Sequence, residues 1–469
     1  MDGNGTRIGM DIEVGDTTTR KKFGKQAFAF GGVANRVPNI GNSDDLTITV
    51  MKQLKPSLST LTAGILLGSI ALSSAAPEPN WPRFRGTNGS GIGDEGIPAE
   101  WSDDDIAWKT KLQGGHGSPV VFNGKVYLLC GDEKTGVRTP TCINAADGKV
   151  EWQKKFKATD SKKHRFNSVA STTPAVDDKK VYFTWGSKTE LIVTALDHSG
   201  ETVWQTDLGP VNGGHGFGAS PMLFGDMLVL NNDQEGEGNG SLIALDIETG
   251  EKRWEVDRHS KRLSYSTPCA YPLGGDGKEV LMFTNWTHGY TAVDPESGKV
   301  IAEKSVFDTE TKERAISSPI VSGDLVIGTC GFTTNPKHCV AVRLKEGGEI
   351  EEVWRVEKSV PHIPSPIAVG DLVFLWGDNG IVTCLRRDSG EEVWRERVGG
   401  ATYYSSPVVS GDKIFCADAD GTVTAIKAAE KFEILGQNKT DEAIKATPAI
   451  AGKKMFVRTA EHLIAIQAR

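Results

Sequence analysis

Over most of the chain, apolar and polar residues alternate with a period of two in short runs rich in Val, Ile, Leu and Thr. No long window carries the 3.6-residue period of a helix, so the chain reads as strands. The strands recur in a unit. A Ser/Thr-Pro step opens each one, at Pro119, Pro174, Pro221, Pro268, Pro319, Pro366, Pro407 and Pro448, with separations of 55, 47, 47, 51, 47, 41 and 41 residues. SPVVFNGKVYLLCG, SPIVSGDLVIGTCG and SPIAVGDLVFLWGD align as strand, Gly/Asp turn, strand. A third strand follows (LIVTALD, SLIALD, GYTAVD, GTVTAIK), then a turn and a fourth strand marked by Trp. Four strands per unit of this length predict a propeller blade. The Trp positions are Trp152, Trp204, Trp254, Trp354 and Trp394, with Ala302 in that place in blade four. The last unit stops after three strands at Ile466, and the segment 105–112, which carries Trp108, is predicted to supply its fourth. Pairing the two ends would close the ring and remove both exposed edges. The expected fold is an all-β, eight-bladed β-propeller of four-stranded blades, its last blade closed by an N-terminal strand.

The pattern changes before residue 77. Met51–Lys55 is basic, Leu61–Leu72 is a 12-residue apolar run, and Ser73–Ala76 is small. This is the order of a secretory signal peptide, and the run is short for a membrane-spanning helix, which needs about 20 residues. Residues 1–50 show no sustained periodicity and are expected to be a mis-assigned, disordered leader, with Met51 as the initiator. The domain reading is therefore leader 1–50, signal peptide 51–76, N-terminal extension 77–104 and propeller 105–469. The expected location is periplasmic or secreted, with no membrane span after cleavage.

Composition narrows the partners. The formal net charge is −8, from 53 basic and 61 acidic residues. Nucleic acid is excluded as a main partner by this balance. Seven cysteines are too few for a disulfide scaffold and show no metal-binding spacing. Cys130 ends the second strand of blade one and Cys142 opens its third, while Cys330 and Cys339 hold the same places in blade five. Adjacent antiparallel strands can bring opposed residues to disulfide distance. Disulfides Cys130–Cys142 and Cys330–Cys339 are one expectation, and four buried free thiols the other.

No catalytic motif is legible. Gly-rich stretches do not open a helix after a strand, and no GxSxG elbow or HExxH occurs. The DADG turn at 418–421 has too few oxygen ligands for a calcium loop and reads as a hairpin turn. No catalytic residue and no metal ligand are assigned. One constellation stands out. Residues just before each Ser/Thr-Pro should ring one mouth of the central channel: His116, Arg165, His215, Arg262 with Tyr265, Arg314, His362, Tyr404 beside Tyr403, and Lys445. Every blade places a His, Arg, Lys or Tyr there, which suits a polar or anionic ligand. Turns on the same face add Trp185, Asn285, Trp286, His288, Trp376, Asp378 and Asn379, as ligand-stacking or as rim-packing groups.

The Ala-x-Asp…Gly…Trp pattern (Ala195, Asp197, Gly200, Trp204; Ala244, Asp246, Gly250, Trp254) resembles the tryptophan-docking repeat of pyrroloquinoline-quinone (PQQ)-like β-propellers. The resemblance covers about residues 105–469. The opening Trp81-Pro82-Arg83-Phe84-Arg85-Gly86 resembles the lead-in of exported bacterial members of unassigned activity. It implies that Trp108, Trp152, Trp204, Trp254, Trp354 and Trp394 pack between neighbouring blades. Two activities are associated with such propellers. Quinoprotein dehydrogenases bind PQQ with calcium and commonly use an adjacent Cys-Cys disulfide, a pair this sequence lacks. Non-catalytic members bind exported or outer-membrane proteins by their loops and rim. A binding scaffold without cofactor, monomeric, is the expectation; PQQ with calcium belongs only to the dehydrogenase alternative. A carbohydrate-binding or carbohydrate-acting propeller is the second alternative.

Overall fold

A computed structural model of the chain describes residues 80–157, 163–236, 240–260, 262–274, 277–307, 314–331, 337–399 and 402–468. The expected leader and signal peptide lie outside these residues. The described chain folds as eight sheets, each built on four antiparallel strands. Blade one is typical: Val120–Phe122, Lys125–Gly131, Arg138–Asn144 and Val150–Gln153, each hydrogen-bonded to the next. The second and third strands are buried on both faces, because each blade packs between two others, whereas the fourth alternates exposed and buried residues. Helical structure among the described residues is limited to two short turns, Thr87–Gly89 and Asp103–Asp105.

Ring closure follows the sequence expectation. Ile106–Lys111 pairs antiparallel with His462–Gln467 and completes blade eight, with Trp108 opposite Ala465. Glu442 fastens this seam. Its carboxylate accepts from Thr459 Oγ1 at 2.5 Å and from the Glu461 N–H at 2.9 Å, and meets His462 Nδ1 at 2.5 Å and Lys109 Nζ at 3.3 Å.

Two interactions join blades. On the outside, indole Nε1 groups of Trp108, Trp152, Trp204, Trp254, Trp354 and Trp394 donate to backbone carbonyls of the next blade at 2.6–3.1 Å. Five of the rings lie on a glycine of the next blade's turn, whereas Trp394 meets Phe432, with ring centroids 5.1 Å apart. At Gly250, φ is +75° and an added Cβ would sit 2.5 Å from the Trp204 ring, so only glycine satisfies both the turn and the contact. On the axis, at seven of the eight junctions, the residue before the inner-strand proline donates its N–H to the hydroxyl of its equivalent in the next blade. The links Ser118→Thr173, Thr173→Ser220, Thr267→Ser318, Ser318→Ser365, Ser365→Ser406, Ser406→Thr447 and Thr447→Ser118 all measure 2.9–3.0 Å.

Two junctions lack a Trp from the preceding fourth strand. Between blades four and five, Ala302 pairs with Ala292 in the Trp position, and Tyr290 bridges instead, donating to the Val340 carbonyl at 2.6 Å. In blade seven, Gly436 holds the position, and the N-terminal extension lies against it. Asn438 brackets that extension, donating to Ala99 O and accepting from Trp101 N, both at 2.8 Å, while Trp101 packs on the adjoining core.

The extension also enters the channel. Trp81 bridges to Val121 of blade one, and Pro82 O accepts from Val176 of blade two. Buried Arg83 donates to Pro268 O at 2.7 Å, and buried Arg85 to Pro366 O at 2.8 Å. Ile92–Gly93 then runs parallel to Val408–Ser410 as a fifth strand of blade seven. Residues 80–101 thus belong to the propeller's packing.

The cysteines correct one expectation. All seven are free and buried. Cys130 opposes Thr139 and Cys142 opposes Tyr127, an offset of three residues along the ladder. That offset corresponds to about 10 Å at 3.3 Å per residue and turns the thiols to opposite faces. Cys130 lies in the core between blades eight and one, Cys142 in the core between blades one and two. Cys330 opposes His338, and Cys339 opposes Thr329, so this pair is also split between faces. Neither Cys130–Cys142 nor Cys330–Cys339 can form without a register slip.

Thiol titration of the unreduced, unfolded protein should count seven free cysteines; a count of three would restore both disulfides. The seam gives a second expectation. Burial alone would push the Glu442 carboxyl up, but the hydrogen bonds from Thr459, Glu461, His462 and Lys109 outweigh it and hold it at about 2, below its ordinary 4.5. A depressed folded-state value stabilises the ring above the unfolded value and loses that contribution as pH falls through the folded one. Acid titration of stability should therefore show a loss between about pH 4.5 and 2 that is smaller in Glu442→Gln. Equal acid limbs would remove Glu442 from the closure.

Candidate functional site

The segments that lead into the inner strands converge at one mouth of the channel. Pro at the following position forces each preceding Ser or Thr to stay extended, which aims the hydroxyl belt at the axis. Beneath the mouth lies a cavity of about 130 Å³, lined by belt hydroxyls, Tyr265, Tyr404, His116 and Lys445, with Phe84 of the extension among its walls. Above it opens a vestibule of about 350 Å³, lined by His116, Glu133, Lys163, His164, Arg165, Asn167 and Lys445. His116 and Lys445 belong to both.

The predicted mouth residues divide into three groups. His116, Tyr265, Tyr404 and Lys445 line the inner cavity, and Arg165 joins His116 and Lys445 at the vestibule. Burial, reinforced by Lys445 and Arg458, pulls the His116 imidazole down to about 3, so it is neutral at working pH. Tyr265 donates to Gly216 O at 3.0 Å and is fixed in place.

His215, Arg262 and Arg314 form the second group, which meets a carboxylate from another blade. Glu235 Oε1 takes Arg314 Nη2 at 2.6 Å and Arg262 Nη1 at 3.5 Å. Burial would raise the Glu235 carboxyl, but Arg314, the Gly214 N–H and Arg262 together hold it below its usual range. His215 Nδ1 faces Arg314 Nη2 at 3.2 Å, and burial and Arg314 depress its protonation. One carboxylate thus engages both guanidinium groups and offsets half of their charge. His362 stands in a third place. It is buried, its N–H donates to Asp378 at 2.7 Å, and Asp378 also pairs with Lys337 at 3.0 Å.

The turn aromatics are packing groups. Trp185, Trp286 and Trp376 are buried, and Asn285 donates to Asp233 at 2.7 Å within a buried network that includes the Arg258–Asp233 ion pair. His288 pairs with Glu303 at 2.9 Å.

Sequence reading passed over several residues that shape the site. Glu133 and Glu235 are the counterions of Lys163, Arg262 and Arg314, and both sit in the turn between second and third strands. His164 and Phe166 extend an aromatic row. His215 stacks on His164 with centroids 5.0 Å apart, His164 meets the Phe166 edge at 5.0 Å, and Phe166 meets Tyr404 at 5.5 Å. Arg165 lies over Phe166 at 4.6 Å, and Lys445 Nζ over Tyr404 at 6.0 Å. Among the described residues, neither Arg165 nor Lys445 has a carboxylate within ion-pair distance.

A quinone held with calcium does not fit these residues. The axial cavity is small, carries no carboxylate, and has Phe84 against it. The nearby carboxylates Glu133, Glu235 and Asp378 are committed to Lys163, the two arginines and Lys337. No group of His, Cys, Asp and Glu among the described residues could hold a metal ion. No helix among them is long and apolar enough to cross a membrane.

The fold recurs in solved structures. BamB from Moraxella catarrhalis is 16% identical, covering 77% of this chain and 98% of that one, with a TM-score of 0.54. Quinohemoprotein alcohol dehydrogenase from Comamonas testosteroni is 14% identical over 85% of this chain and 82% of that one, TM-score 0.57. The computationally designed Ika8 protein is 11% identical over 80% and 98%, TM-score 0.51. At these identities the likeness shows the architecture alone. A search of curated protein sequences returns no match. The family model described as outer membrane protein assembly factor BamB matches residues 99–210, 160–396 and 379–469, and with its closed ring of Trp-docked blades the chain belongs to this family of PQQ-like β-propellers.

Proposed function

We propose that the protein is a non-catalytic, exported binding propeller that accepts an anionic or polar group at its channel mouth, presented by an exported or outer-membrane protein or by a small ligand. The observation that carries this is the division of charge at the mouth. Arg262 and Arg314 are spent on Glu235, whereas Arg165 and Lys445 flank an open vestibule of about 350 Å³ over aromatic faces. A cation on the wall of a concave site is worth more to an anion than one on open surface, because less water screens it. The BamB described for Moraxella catarrhalis supports the scaffold reading by shared family, and the misfit to a quinone with calcium counts against the dehydrogenase alternative.

Three measurements check it. Quinone-dependent dye reduction, with PQQ and calcium supplied, should be absent; turnover would replace this reading with the dehydrogenase one. Poly-L-glutamate should bind with an affinity that falls as salt rises, and the double variant Arg165→Ala, Lys445→Ala should weaken it about tenfold or more. Unchanged binding by the double variant would move the site away from the mouth. Glu235→Gln should act in the opposite direction, since it releases two guanidinium groups: tighter poly-L-glutamate binding, with a stability loss of about 1–3 kcal/mol from the lost charged hydrogen bonds. Weaker binding in Glu235→Gln would show that Glu235 serves the ligand rather than silencing the arginines.

A further inference from the structure

The mouth holds more than charge, and the surplus identifies a ligand class. Phe166 is 44% exposed, a large ring left in solvent within a row of four rings. Its neighbour Tyr404 also lines the inner cavity, so the aromatic ledge leads directly into it. That cavity is walled by hydroxyls. Ser118, Thr173, Ser365, Ser406 and Thr447 all face it. Each already accepts a neighbour's N–H, yet a hydroxyl offers one donor and two acceptor positions, so each retains hydrogen-bonding capacity for an occupant. At the junction of ledge and cavity stand Lys445 and Arg165.

We infer that blades one, two, seven and eight form a binding site for an acidic sugar: a uronate-type ring stacked on Tyr404 and Phe166, its carboxylate between Arg165 and Lys445, its hydroxyls directed at the Ser/Thr belt. Three properties must meet in one ligand. The negative faces of the rings attract the positive C–H edges of a sugar. The cations take the carboxylate as charge-assisted hydrogen bonds. The belt of hydroxyls pairs with a polyol, which both donates and accepts. A free inorganic anion would use only the cations, and an acidic peptide brings amide groups at backbone spacing in place of a polyol's adjacent hydroxyls, with no ring to stack. The vestibule volume, about 350 Å³, stands within the range of about 300–1,000 Å³ typical of small-ligand pockets.

The inference rests on the anion-binding reading of the mouth, and the test separates the two. The full chain is titrated calorimetrically with tri-galacturonate, with the neutral galactose trimer and with oligoglutamate of matched charge. Tri-galacturonate should bind more tightly than both. Phe166→Ala should weaken it about three- to tenfold while leaving oligoglutamate unchanged, the range expected of one aromatic contact. Phe166→Leu, which keeps apolar volume without a π face, should weaken it similarly and guards against a folding artefact. Equal binding of oligoglutamate with indifference to Phe166 overturns the sugar and leaves the anionic mouth standing. Equal binding of the neutral trimer overturns the carboxylate's role. Failure of both anionic probes overturns the mouth itself.

Discussion

The inner belt is the constraint on which the ring depends. Proline at each inner strand has no N–H, and it keeps the residue before it extended. The N–H of that preceding residue then points across to the next blade, where a Ser or Thr hydroxyl receives it. The contact is made at seven of the eight junctions, and the link from Thr447 back to Ser118 spans 329 residues of sequence. A buried N–H left without such a partner would cost about 1–3 kcal/mol, so each hydroxyl matters. The belt also sets the channel's diameter and its polarity. The outer Trp–Gly docks work at the other radius, and together the two circles fix blade spacing from both sides.

A ring of eight leaves a hole that side chains of the inner strands do not fill. The N-terminal extension fills part of it. Arg83 and Arg85 are fully buried there, and burial pulls them down to about 10 and 9, so both stay charged at neutral pH. Their Nη2 atoms donate to the proline carbonyls of the inner strands, groups that need partners because the inner strands are short. Between the two arginines, Phe84 closes the axial cavity from within. The extension thereby turns a through-channel into a mouth with a floor, which is what a binding site requires.

The chemistry of the mouth follows from which cations find counterions. Turns between second and third strands rise on the same face as the segments that carry the arginines, so acids from one blade reach bases from another. Glu235 meets Arg314 from 79 residues away, and Asp378 meets Lys337 from 41. Where such an acid is present the cations become structural. On the side of blades one, two and eight, Glu133 engages Lys163, and Arg165 and Lys445 remain over aromatic rings. The asymmetry is a property of loops on a symmetric scaffold.

The eight units, the position of each strand, the Trp docks and the closing strand 106–111 are local facts. They rest on a period of two, on turn residues and on an indole in six of the eight units, all readable along the chain. The Ser/Thr before each proline was visible too, though its partner was not, because the hydrogen bond joins different blades. What the tertiary structure alone decided depends on register and on neighbours distant in sequence. A three-residue offset sends Cys130 and Cys142 into different cores, a distinction no spacing reveals. Ion pairing at the mouth depends on loop heights at the face, and insertion of residues 81–93 depends on a hole that exists only once the ring has closed. Periodicity is encoded residue by residue; charge compensation and cavity shape emerge only from the closed ring, where loops remote in sequence become neighbours.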